Sequence, residues 1–172
     1  MGKLSLLAIA FSVCVFAQTA DNPLSGSTKG LYTMAKTNIM RAAEKMPETD
    51  YAFKPSPDVR SFGQLVGHVA DASYMFCSAV LGEQPPVRGI EKSKSSKADL
   101  VQALKDGFAY CDKAYDAMTD AKATDTVTFF GSERPAIGVL DFNVVHDYEH
   151  YGNMATYLRM KGLVPPSSEP RK

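Results

Sequence analysis

Three histidines, at positions 68, 146 and 150, are the residues of this sequence best suited to chemistry. His146 and His150 are spaced four apart, which stacks their side chains on one face of a helix. Nitrogen ligands for a metal need such convergence, because zinc–imidazole bonds are only about 2.0–2.1 Å long. The pair alone is a common helical pattern, and His68 strengthens it. At about 100° per residue, His68 falls on the shoulder of an apolar stripe, beside Ala72, Met75 and Ala79. The pair falls on a shoulder too, aligned with Val139, Asn143 and Tyr157. If the two helices are antiparallel neighbours, all three rings can meet near mid-height. Three facial imidazoles leave positions open to water or substrate, the layout of a catalytic rather than a structural site. They do not fix the ion: zinc, nickel, iron and manganese all accept them. The alternative is three hydrogen-bonded core histidines with no common point.

Other polar residues surround these positions in sequence. Gln64 lies one turn before His68, and Asn143 and Asn153 lie three residues either side of the pair. Each can orient an imidazole or serve as a capping or solvated amide. Asp147 falls near the middle of the apolar stripe, between Leu140, Met154 and Leu158, where a carboxyl needs a partner. It could take a proton from a metal-bound water or hold an imidazole N–H, but pairing with Arg60 or a tyrosine hydroxyl is the favoured reading. Glu149 points to the other side, toward solvent. Gly152 would allow close helix contact. Tyr32, Tyr74 and Tyr157 could line a pocket or sit in the core with a wet hydroxyl. The glycines fit no phosphate loop, and no Gly-x-Ser-x-Gly elbow is present. No general base emerges.

The elements that must position these residues are helical. The 172-residue chain suits one domain with a sizeable core. Its apolar residues recur with helical spacing in four segments. The first, from about Thr28 to Met46, carries Leu31, Met34, Ala35, Ile39, Ala42 and Met46 and is stopped by Pro47. Ser61 with Gln64 fits a capping box, and the stripe Phe62, Leu65, Val66, Val69, Ala72, Phe76 and Val80 runs to Gly82. Ser96 with Asp99 resembles a second box before Leu100, Leu104, Phe108, Cys111, Tyr115 and Met118. Ser132 and Pro135 open a fourth helix reaching about Lys161, with Gly162 as its stop. Val127 to Phe130 is β-prone but too short and isolated for a sheet. The fold class is therefore all-α, a four-helix bundle. The connection from Gly82 to Ser96 could stretch about 50 Å, against about 30 Å for a 20-residue helix. It can act as a crossover that leaves the second and third helices parallel. Cys77 and Cys111 then lie at similar depth and can be bridged; otherwise they are two small buried hydrophobes.

Residues 1–17 read as a secretory signal, with Lys3 at its start and an apolar run from Leu4 to Phe16. That run is too short to span a bilayer, which needs about 20 residues. Cleavage after Ala17 would remove Cys14, leave Cys77 and Cys111 in an oxidising compartment, and give an exported protein with no membrane anchor. Residues 18–27 are a polar lead-in, 28–166 the bundle, and 167–172 a tail. Nineteen basic residues balance nineteen acidic ones without a long basic run, which argues against a nucleic-acid partner. Three cysteines and three histidines exclude zinc-finger, iron–sulfur and disulfide-dense scaffolds.

The sequence also resembles the DinB-like family, the DinB/YfiT-like metalloenzymes. The carrying segments are Ser61-Phe62-Gly63-Gln64-Leu65-Val66-Gly67-His68-Val69-Ala70-Asp71 and His146-Asp147-Tyr148-Glu149-His150-Tyr151-Gly152, followed by Tyr157-Leu158-Arg159. The resemblance spans about Pro23 to Pro166. It implies an up-down-down-up bundle and a divalent metal ion held by His68, His146 and His150. It implies hydrolase-like or thiol S-transferase activity on a small-molecule substrate. An exported address favours hydrolysis, because low-molecular-weight thiols are mainly cytosolic. Two other readings stand beside it: a bundle that binds metal or a small ligand without turnover, and a structural bundle that forms a homodimer.

Overall fold

The structure is a computed structural model, and it describes residues 21–170. The expected signal segment, with Cys14, lies outside the described residues. The chain is mostly helical. Helix α1 spans Pro23–Lys45 and begins five residues before the expected Thr28. Its first turn has no local side-chain cap. Instead Asp120 accepts the N–H groups of Leu24 and Ser25 at 3.1 and 2.8 Å. A cap supplied from so far along the chain leaves no local signal, which is why residues 21–27 read as a lead-in. The buried face of α1 is Tyr32, Ala35, Ile39 and Ala42, while Leu31 and Met34 face solvent.

Helix α2 spans Phe62–Leu81. Its capping box forms as the sequence indicates: Ser61 Oγ accepts from the Gln64 N–H, and Gln64 Oε1 accepts from the Ser61 N–H. It ends at Gly82, whose φ of 70° suits a residue without Cβ. The connection that follows is not featureless. It contains one helical turn, α3 (Ile90–Ser93). The Asp71 carboxylate accepts the Ile90 and Glu91 N–H groups at 2.9 Å each, tying this turn to α2. Gly67 lets it come close, because a Cβ there would lie 2.8 Å from Glu91 Cα.

Helix α4 spans Lys97–Ala117, capped by Ser96 Oγ, which accepts the Asp99 N–H. The expectation that the β-prone segment from Val127 to Phe130 is too short and isolated for a sheet is corrected here. Strands β1 (Thr126–Phe129) and β2 (Ser132–Pro135) form an antiparallel hairpin pairing Phe129 with Ser132 and Thr126 with Pro135. Ser132 therefore belongs to a strand, and helix α5 spans Ala136–Met160. The hairpin is secured by burying Phe129 on Phe76 of α2, with ring centroids 4.9 Å apart. Past α5 the chain folds back. Glu169 pairs with Arg41 and Lys45 of α1, so the expected C-terminal tail is anchored up to that point.

The four long helices share one core, α2 packing on α4 and α5, and α1 on α4 and α5. Contacts advance in step along α2 and α4. Leu100 lies against Gly63, Gly107 against Ala70, and Cys111 is disulfide-bonded to Cys77 with Cα atoms 5.1 Å apart. Along α1 and α4 they run in reverse: Lys29 pairs with Asp116, and Tyr32 meets Asp112. Among the described residues no helix is long and apolar enough to cross a membrane.

Candidate metal centre

Helices α2 and α5 bring the three histidines to one point. Tyr157 donates to the Arg60 carbonyl at one end of the contact, and Phe76 packs edge-on against Phe142 at the other. The rings of His68, His146 and His150 lie between. Their Nε2 atoms face one another: His146 Nε2 is 3.1 Å from that of His68 and 3.1 Å from that of His150. One ligand atom from each residue falls within 4.8 Å of the others. The convergence expected from the i, i+4 pair and the stripe shoulder is thus present, and the reading of three separate core histidines is overturned.

Burial sets the charge of these rings. His146 is pushed down to about 3, first by desolvation and then by the neighbouring imidazoles and Arg60. His150 is pushed down to about 4 by burial and the His68 ring, despite an opposing pull from Glu149. His68 is lowered as well, by burial and then Arg60, with Glu91 partly offsetting both. All three are neutral at pH 7, the form in which imidazole donates a lone pair.

Glu91, on the one-turn α3, escaped the sequence reading because its segment resembles a linker. Its Oε2 lies 3.1 Å from His68 Nδ1, and its Oε1 accepts from Arg60 Nε at 2.9 Å. An ionised carboxylate only accepts, so the His68 proton is assigned to Nδ1 and the lone pair to Nε2. The tautomer matches that of a ligating ring whose other nitrogen is held by a carboxylate. The sole advance signal was Gly67, a position without a side chain immediately before His68.

The remaining candidates divide. Gln64, Asn153 and Tyr157 line a cavity of about 550 Å³ that reaches His150. Lys54 and Arg60 supply its cations, and Asp58, Glu91 and Glu149 its carboxylates. Glu149 is exposed as expected, but at the rim of this cavity. Asn143 is buried and donates to the Tyr115 hydroxyl at 3.0 Å rather than to a histidine. Tyr32 stacks on Tyr115 in the core, and Tyr74 packs against Tyr110; neither lines the cavity. Asp147 pairs with neither Arg60 nor a tyrosine, correcting the favoured reading. It is fully buried, both oxygens lack a hydrogen-bond partner, and burial raises its carboxyl well above the usual range. Gly152 meets nothing within 4 Å of where a Cβ would stand, so it permits no close helix contact.

With this geometry in view, comparisons with known proteins are direct. Residues 31–154 match the sequence profile of the DinB superfamily, and the chain belongs to that superfamily. It is 24% identical over 127 residues to the Bacillus subtilis protein YjoA, covering 70% of this chain and 79% of that one. The crystal structure of YjoA, a DinB-like protein, superposes with a TM-score of 0.68 at 20% identity, covering 85% of this chain and 99% of that one. A DinB-like protein from Bacillus cereus superposes with a TM-score of 0.71 at 18% identity, covering 82% and 95%. A conserved Enterococcus faecalis protein gives 0.65 at 16% identity, covering 82% and 98%. At these identities the structures share the fold.

Proposed function

We propose that His68, His146 and His150 hold a divalent metal ion beside the cavity that His150 lines, and that the protein is a metal-dependent enzyme, a hydrolase before a thiol S-transferase. The observation that carries this is the meeting of three neutral imidazoles through their Nε2 atoms, one of them, His150, lining an open pocket. The donor set fits a cation. His146 Nε2 faces two other nitrogens and can donate at most one proton, whereas a cation among the three uses every lone pair. Once bound, such an ion supplies Lewis acidity toward water, a substrate oxygen or a thiol.

The chain's own residues do the rest. Glu91 fixes the His68 ring and tautomer, and burial keeps His146 and His150 unprotonated. The cavity gives a small molecule access, which favours turnover over a sealed binding site. Up-down-down-up is the bundle topology we infer, supported by contacts that advance together along α2 and α4 and run in opposite sense along α1 and α4. The Cys77–Cys111 bridge supports an exported location, since disulfides persist in oxidising compartments.

The test is elemental analysis of the purified protein beside a His150→Ala variant. The wild type is expected to carry a first-row divalent metal in near-stoichiometric amount and the variant to lose it. Equal metal content in both removes the site.

A further inference from the structure

We propose that the cavity takes a small polar molecule bearing a single carboxylate, and that Arg60 is the residue that selects it. This rests on the reading of the three histidines as a metal site and adds the class of substrate. Arg60 stands just before the α2 cap, where the Tyr157 hydroxyl holds its carbonyl at 2.9 Å. Its Nε is bonded to Glu91 Oε1, and the other oxygen of that carboxylate holds His68. One carboxylate therefore sets the guanidinium and a histidine of the triad in fixed register. A guanidinium has five donors, and the Nε bond leaves two terminal amino groups suited to a second carboxylate. The Arg60 side chain remains 42% exposed, open to a ligand.

Charge in the cavity sets the rest of the specificity. Lys54 and Arg60 face Asp58, Glu91 and Glu149, so the protein alone leaves the lining slightly negative. A divalent ion on the triad reverses that sign and makes an anion welcome. The reversal is small, and Asp58 and Glu149 remain to repel a second negative charge. A monocarboxylate fits this balance better than a phosphate monoester. The polar amides and hydroxyl of Gln64, Asn153 and Tyr157 match a hydrophilic body rather than an acyl chain.

The experiment uses the full chain loaded with cobalt(II), whose visible and near-ultraviolet bands report a thiolate reaching the ion. Mercaptoacetate, mercaptopropionate and mercaptobutyrate are titrated against mercapto-alcohols of the same lengths. At one length the acid is expected to bind at least about tenfold more tightly than the alcohol, the scale of a charge-assisted hydrogen bond. Arg60→Gln is expected to abolish the difference and Arg60→Lys to keep part of it, each variant's cobalt spectrum being recorded first. Equal affinity of acid and alcohol in the wild type overturns the proposal, as does a preference that survives in Arg60→Gln. A wild type that shows no cobalt bands overturns the metal reading instead, and the missing spectrum tells the two failures apart.

Discussion

Glu91 and His68, 23 residues apart in the chain, are joined by a 3.1 Å contact between a carboxylate oxygen and Nδ1. Of the three converging rings, only His68 has its outer nitrogen on a protein carboxylate; the buried Nδ1 atoms of His146 and His150 have no side-chain or backbone partner among the described residues. The carboxylate arrives on one turn of helix that Asp71 pins and Gly67 admits.

Glu91→Gln keeps the shape of this contact but removes the charge that favours Nδ1–H. The affinity for zinc is expected to fall about 10–100-fold, with the far-ultraviolet circular dichroism unchanged. Competition with a chromophoric chelator at pH 7 measures it, and an unaltered affinity would show that Glu91 does not orient the ring.

Acid should weaken the metal-free fold through the two α5 rings. Burial holds them at about 3 for His146 and about 4 for His150, below the ordinary imidazole value of about 6.5. Between those limits the unfolded chain binds more protons than the folded one, so stability falls as pH drops from 6.5 toward 4. Urea midpoints at pH 7 and pH 5, taken with chelator present, should fall less in a His146→Gln, His150→Gln double variant than in the wild type. Parallel slopes would contradict the assignment.

Two glycines should respond in opposite directions. Gly67→Ala puts a methyl group 2.8 Å from backbone that cannot yield without moving α3. We expect a loss of about 1–3 kcal/mol and weaker zinc binding, because Glu91 is displaced. Gly152→Ala meets nothing within 4 Å inside a helix and should gain about 0.5–1 kcal/mol. Thermal melts of both variants check the pair.

The Cys77–Cys111 bond ties α2 to α4 across a separation of 34 residues. Opening it is expected to lower stability by about 2–4 kcal/mol. Urea melts with and without reductant measure that difference. Intact mass after alkylation of the unreduced, unfolded protein should show neither of these two thiols labelled; labelling at both would remove the bridge.

Much of the site was legible because it obeys helical periodicity. His146 and His150 declare a face, His68 lies on the edge of a stripe, and Ser61 with Gln64 marks where α2 begins. What escaped notice depends on contacts remote in sequence. The start of α1 relies on Asp120. The role of Glu91 relies on Asp71 and Gly67, within a segment whose prolines, glycines and lysines spell a linker. The hairpin turns through Phe130 and Gly131, both at positive φ, where an asparagine before glycine would have announced it. Asp147 looked as though it had to be paired because burying a charge is unfavourable; desolvation instead favours its neutral acid form.

The three nitrogen donors ride on long helices of the bundle, whereas the group that trims one of them sits on a single turn in the connection between α2 and α4. Ligand geometry and ligand tuning are thus housed in separate parts of the molecule. Exchanging the stretch between Gly82 and Ser96 for another of equal reach would retune the centre while leaving its coordinating scaffold intact, so a shared bundle could diversify its chemistry by splicing alone.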